Sequence, residues 1–250
     1  MYDVAESKVI RTSENAHWSG TKVVSGPHEN TQDSQPKIQP DGTVTDVYLG
    51  SGTSMVARTS RDGGATWSSE ALVVHSVGGG PAGIRCCLPS AAADPVSGRM
   101  YAVWEANGPG ASDAVELSTS TDGRNWSAAK QISRDGGSAT IQHVNSTVTA
   151  YGGRVFVSYG ARDSAVSHGR FIQQELSASY DGGTTFRDPL LLGPLSDLRY
   201  AAFAGGKFPG DYIGASATST SVVLVWCVSS PPSDPTQKYH QTVFAAVLRP

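Results

Sequence analysis

The sequence is short of charge, of long apolar runs and of cysteine, and each shortage narrows what it can be. Only 16% of its 250 residues are charged and no long helical stripe runs through it, which favours strands and tight turns over helices. The longest apolar runs, such as residues 222–228, are strand-length, far below the roughly 20 residues that span a bilayer. A net charge of −3 and a pI near 6.0 give no electrostatic reason to expect nucleic acid or an anionic membrane as partner. A polar small molecule or a glycan fits better. The three cysteines, adjacent Cys86 and Cys87 plus Cys227, form neither a zinc spacing nor a disulfide framework. Their odd number leaves at least one thiol unpaired, and buried strand cysteines are the expectation. Residues 1–6 lack the basic and apolar regions of a signal peptide. His143 and His168 have no third ligand at a recognisable spacing, so neither a metal nor a cofactor is expected.

What the chain has in quantity is glycine, 28 residues of it, and a repeat. Thr59-Ser60-Arg61-Asp62-Gly63-Gly64-Ala65-Thr66-Trp67 is echoed by Thr119-Ser120-Thr121-Asp122-Gly123-Arg124-Asn125-Trp126 and by Ala178-Ser179-Tyr180-Asp181-Gly182-Gly183-Thr184-Thr185-Phe186. The aspartates recur at intervals of 60 and 59. A second repeat of apolar or alternating runs ends in Tyr48, Trp104 and Tyr159, spaced by 56 and 55, with a further run reaching Trp226. Two motifs keeping nearly one period predict four-stranded antiparallel units, placed around the second motif at 88–93, 99–104, 115–120 and 125–132. That is the pattern of a β-propeller blade, with a sandwich as the runner-up. The expected organisation is one propeller domain over 1–250, with blade repeats at 32–75, 85–132, 139–192 and 208–250 and a partial hairpin at 1–25.

The turn motif has mechanical reasons for its residues. Asp62, Asp122 and Asp181 can fold a carboxylate back onto turn amides, Gly supplies positive φ, and Trp67, Trp126 and Phe186 can plug the gap between neighbouring sheets. These residues read as fold-specifying rather than catalytic.

The repeats resemble the Asp-box (BNR) repeats of the sialidase superfamily, and 85–226 resembles bacterial sialidase-like proteins through Leu88-Pro89-Ser90, Asp94-Pro95, Gly98-Arg99-Met100-Tyr101-Ala102-Val103-Trp104 and Phe208-Pro209-Gly210-Asp211-Tyr212-Ile213-Gly214. The resemblance implies an all-β propeller with Asp-box turns. Four to five blades are legible against six in the sialidases; the expectation is an N-terminally shortened sequence, with a genuinely small propeller as the alternative. The resemblance also implies a secreted or cell-surface protein.

In a four-stranded blade, the entry loop and the loop between the second and third strands share the face opposite the Asp-box turns, and a site belongs there. Entry segments offer Glu29, Asp33, Arg85, Gln142, His143, Arg199, Tyr200, Asp211 and Tyr212. The second-to-third loops offer Glu105, Asp113, Arg162, Asp163 and His168. Sialidases hold the sugar carboxylate with three arginines, attack with a tyrosine activated by a glutamate, and use an aspartate as acid/base. Carried onto this sequence, that implies substrate binding by Arg85, Arg162 and Arg199, assisted by Asp211 and Asp33. Catalysis falls to Tyr212 or Tyr200 with Glu105, and to Asp113 or Asp33 as acid/base. The early Arg-Ile-Pro motif of that family is absent; Ile84-Arg85-Cys86-Cys87-Leu88-Pro89 is a loose echo. The expected activity is a sialidase-like glycosidase acting on terminal acidic sugars, with a non-catalytic glycan-binding propeller as the alternative. Nothing in the sequence sets an oligomeric state.

Overall fold

The computed structural model describes residues 20–25, 31–107, 113–134, 138–211 and 213–249. The expected hairpin at 1–25 lies almost wholly outside these residues; 20–25 contain no strand.

Four antiparallel sheets form a propeller arrangement. The first blade is a meander of β1 (Gln32–Ile38), β2 (Val44–Leu49), β3 (Met55–Ser60) and β4 (Ala71–Val74). The second has β5 (Ser90–Ala93), β6 (Met100–Asn107), β7 (Asp113–Ser120) and the short β8 (Lys130–Gln131). The third has β9 (Ile141–Tyr151), β10 (Arg154–Asp163), β11 (Phe171–Ser179) and β12 (Leu190–Asp197). A single parallel backbone bridge, Asp113 to Gln142, joins second and third blades. After a small hairpin of β13 (Ala202–Phe203) and β14 (Lys207–Phe208) comes a three-stranded blade of β15 (Gly214–Ala217), β16 (Val222–Ser229) and β17 (Gln241–Leu248). Strand β1 lies beside β5, β5 beside β9, and β9 beside β15, so the first strand of each blade faces the middle.

The apolar strands are second strands, and their period of two explains the composition. On β6, Met100, Ala102 and Trp104 face the first blade, where they pack with Val47, Met55 and Ala57. The intervening Tyr101 and Val103 face the third blade, meeting Val148, Val155, Val157 and Tyr159. Between third and fourth blades, Phe156, Leu176 and Ala178 meet Val222, Leu224, Trp226 and Val228. A strand covered on both faces reads as a continuous apolar run. That is the physical origin of the second repeat.

In the Ser-X-Asp-Gly turns, Asp62 accepts from Ser60 Oγ (2.8 Å), Thr66 N (2.8 Å) and Thr66 Oγ1 (2.6 Å). Asp181 repeats this with Ser179 and Thr185. Asp122 accepts from Ser120 Oγ, the amides of Arg124 and Asn125, and Asn125 Nδ2. The bonds from Thr66 hold the Asp62 carboxyl down to about 2, and Asp122 and Asp181 lie lower still. Phe186 is buried in the core between second and third blades, while Trp126 packs at the edge of the one between first and second. Trp67 is half-buried. Because Asp122 claims the Asn125 amide, the fourth strand does not begin at 125 as expected. It keeps an isolated bridge from Trp126 to Ser120 and pairs regularly only at Lys130–Gln131.

The cysteines depart from expectation too. Cys86 and Cys87 are disulfide-bonded to each other in the loop before β5, not unpaired in a strand. Cys227, on β16, is free.

Candidate active site

Strands β1, β5, β9 and the segment entering β15 all start on one face, and there they enclose a cavity of about 380 Å3. Alternation on β1 turns Asp33, Gln35 and Lys37 to the more sheltered side while their neighbours are exposed. The second blade adds Leu88, Pro89 and Ser90, the third Asn145, Ser146 and Thr147, and the fourth Asp211 and Ile213. The volume lies at the small end of ligand pockets, which run from about 300 to 1,000 Å3.

Gln35 organises the first wall. Its Nε2 donates to both Asp33 oxygens at 3.2 Å and to the Pro89 carbonyl at 2.6 Å, while its Oε1 accepts from the Ala91 amide at 3.0 Å. The first and second blades are thereby joined beside the carboxyl. Asp33 sits at φ +59°, next to a register shift in β1, a backbone setting that Asp and Asn tolerate better than most residues. Burial raises its carboxyl to about 6; the Gln35 bond and the Lys37 charge oppose that rise. Burial also lowers the Lys37 ammonium, against the pull of Asp33 and Asp46.

Asp46, on β2 behind this wall, is 2% exposed and accepts from Ser34 Oγ at 3.0 and 2.9 Å. Burial lifts it, too, to about 6. A carboxyl raised from 3.8 to about 6 holds more protons in the folded than in the unfolded state between those values. Its contribution to stability is therefore largest at low pH and is lost as pH rises through the folded value. Asp46→Asn, which stays neutral, should gain on the parent by on the order of 2 kcal/mol between pH 4 and pH 7. Urea unfolding of both proteins at each pH measures this, and a pH-independent difference would exclude it.

On the third blade, Asn145 is 7% exposed and has φ +53°. Its Oδ1 accepts from the Cys87 amide at 3.3 Å and its Nδ2 donates to the Gly210 carbonyl, linking the entries of three blades at the cavity. Glu105 is 1% exposed and accepts from the Ser146 amide. It therefore supports the cavity wall rather than lining it.

The remaining site candidates are spread around the face. Arg85 is exposed, reaches the Ala204 carbonyl at 3.4 Å and lies 5.9 Å from the Phe208 ring centre. Burial raises the Asp211 carboxyl, against the opposing charge of Arg85. Arg162 donates to Gln142 Oε1 at 2.8 Å and to the Gly169 carbonyl at 3.2 Å. Arg199 forks onto Asp197 at 3.0 to 3.3 Å and lies over Tyr200. Arg170 shares that carboxylate, with one contact at 2.8 Å. None of Arg85, Arg162, Arg199 and Tyr200 lines the cavity. Asp113 opens β7 with the backbone bridge to Gln142, and Tyr212 lies outside the described residues. Sequence reasoning passes over Gln35, Lys37, Asp46 and Asn145. The alternating polar residues of 33–37 on an innermost strand are the available signal. Asn145 falls in a glycosylation sequon, Asn145-Ser146-Thr147, yet its side chain is buried and bonded.

No family model and no curated protein matches the sequence. Solved structures do. A Hadza microbial sialidase is similar over 85% of this chain and 46% of its own, with 13% identity and a TM-score of 0.51. An α-L-arabinofuranosidase of Fusarium graminearum, solved with arabinobiose, is similar over 90% of this chain and 64% of its own, at 14% identity and a TM-score of 0.52. A Penicillium chrysogenum α-L-arabinanase, also complexed with arabinobiose, gives 86% and 62%, 17% identity and a TM-score of 0.52. The chain thus spans about half to two thirds of these proteins, and the likeness establishes the propeller fold.

Proposed function

We propose that the chain is a glycoside hydrolase that releases a terminal neutral sugar in the central cavity, with Asp33 as proton donor and Asp211 as the second carboxylate. The observation that carries this is a pair of carboxyls lining one cavity: burial raises both, Asp33 to about 6, with the Lys37 charge opposing the rise at Asp33 and the Arg85 charge opposing it at Asp211. Glycoside hydrolysis needs one carboxyl to protonate the leaving oxygen and one carboxylate to serve the anomeric carbon or its attacking water. Ser90 and Thr147 offer hydroxyls to a sugar, while Asn145 and Glu105 position the third-blade wall. Supporting the glycosidase reading, the similar solved structures include a sialidase, an α-L-arabinofuranosidase and an α-L-arabinanase.

A neutral sugar is preferred to sialic acid because two carboxyls and one ammonium line the cavity, while Arg162 and Arg199 are bonded elsewhere and Arg85, whose charge acts on Asp211, is not among the lining residues. An acidic sugar would meet carboxyls where it needs guanidinium forks. We further propose a secreted or cell-surface setting, as the resemblance to sialidases implies. The test is a hydrolysis panel containing arabinobiose, nitrophenyl α-L-arabinofuranoside and a nitrophenyl sialoside. Turnover of the neutral glycosides alone is expected. Turnover of the sialoside alone would overturn the neutral-sugar reading, and glycan-array binding without any turnover would replace the enzyme by a lectin-like propeller.

A further inference from the structure

We infer that the Cys86–Cys87 pair is a thiol–disulfide exchange site that sets the shape of the central cavity, so that a dithiol reductant loosens the wall carrying the two acids. That the loosening regulates hydrolysis rests on the function proposed above; the structural switch does not.

The pair sits in a short turn between two anchors. Upstream, Ile84 bridges Lys207, the Arg85 amide donates to the Lys207 carbonyl at 2.9 Å, and the Lys207 amide donates to the Gly83 carbonyl at 2.8 Å. Downstream, Pro89 is buried and β5 begins at Ser90. Cys87 between them stands at φ +87°, a conformation a non-glycine residue seldom adopts unless its surroundings impose it. The small ring closed by two adjacent cysteines is such a constraint. Gly80 packs against it so closely that a Cβ there would fall 2.5 Å from Cys86 Sγ and 2.7 Å from Cys87 Sγ.

Two short paths lead from this turn to the acids. The Cys87 amide holds Asn145, which holds the Gly210 carbonyl beside Asp211. Two residues after Cys87, the Pro89 carbonyl holds Gln35, which holds Asp33. Relaxation at residue 87 therefore reaches both carboxyls through one bridging side chain each.

Access favours a particular order of events. Cys86 is partly exposed, whereas Cys87 is 7% exposed among Val144, Ile172, Leu198 and Ala201. A thiolate of the reductant attacks Cys86 Sγ, the Cys86–Cys87 bond breaks, and Cys87 leaves as a thiolate that takes up a proton. The second thiol of the reductant, as its thiolate, then attacks the reductant sulfur of the mixed disulfide and expels Cys86. The products are two cysteine thiols and one oxidised dithiol, with two electrons transferred and protons balanced.

The test is hydrogen exchange of the whole chain, native and after dithiothreitol, alongside Cys86→Ser/Cys87→Ser, with thiols counted in each sample. One reactive thiol, Cys227, is expected before reduction and three after. Amides of 86–88, 90, 145–147, 208, 210 and 211 should then exchange at least tenfold faster, while β6 and β10 stay protected. The double variant should match the reduced protein and ignore dithiothreitol. Three thiols in the native protein, unchanged exchange on reduction, or loss of protection throughout the propeller would each overturn the inference. No substrate enters this experiment, so a failure of the glycosidase reading leaves its outcome intact.

Discussion

Under the glycosidase proposal, Asp33→Asn is expected to lower kcat for arabinobiose by roughly 10²–10⁴-fold, the usual worth of a positioned general acid, with folding intact. The expectation starts from the backbone. Asp33 sits at φ +59°, which Asn accepts as readily as Asp, and an amide can still meet Gln35. What the variant loses is the ionisable proton. The leaving group then separates the chemical role from a structural one. A nitrophenolate departs without protonation, so the nitrophenyl glycoside should lose far less activity than arabinobiose, whose sugar leaving group needs the proton. An equal loss on both would show that Asp33 shapes the site instead of donating to it. The pH profile gives a second reading. With the carboxyl raised to about 6 by burial, kcat of the parent on arabinobiose should fall as pH rises above that value, and this limb should vanish in the variant. The direction follows from the protonated form being the active one.

Much of the propeller is legible in the sequence because its strands and turns answer to local rules. The doubly covered stretch Met100–Trp104 shows in its unbroken apolar character, and the turns show in an Asp followed by residues that accept positive φ. The fourth strand of the second blade is shorter than its sequence suggests because its first residues serve the turn: the Asn125 amide donates to the Asp122 carboxylate instead of to the ladder. The site is harder to read, since a charged residue on a loop takes its meaning from its partner. Arg199 finds Asp197 only two residues away and Arg162 finds Gln142 across a strand pair. Nothing local distinguishes such an arginine from one that faces a ligand. Asp33 is legible in the sequence as a blade-entry candidate, but its elevated titration comes from burial and from Asp46 behind it, which are tertiary facts. For Cys86 and Cys87 the sequence offers only the parity of three cysteines; a ring between neighbours satisfies that parity without any framework.

Gly123→Ala should be the most damaging substitution at its turn position, costing about 3–5 kcal/mol of stability, whereas Gly63→Ala and Gly182→Ala should each cost about 1–2 kcal/mol. The three glycines follow Asp62, Asp122 and Asp181 and share nearly the same backbone, φ +69°, +68° and +74°. The penalty for placing a Cβ on a left-handed backbone is thus common to all. Their surroundings differ. A Cβ at Gly63 meets nothing within 4 Å, and at Gly182 the nearest atom, an Arg99 guanidinium nitrogen, is 3.5 Å away. At Gly123 it would stand 2.4 Å from Thr45 Oγ1 and 2.7 Å from Thr59 Cγ2. Neither neighbour yields easily. Thr45 is fully buried with its hydroxyl bonded to Gln39, whose amide in turn bonds the Gly98 carbonyl, and Thr59 is 6% exposed. The turn of the second blade is therefore seated against the first, and the clash would pry the two apart. Urea unfolding of the three variants decides the matter, because three equal losses would mean that backbone conformation alone requires glycine there, and a loss confined to Gly123 beyond the shared penalty would measure the contact between blades.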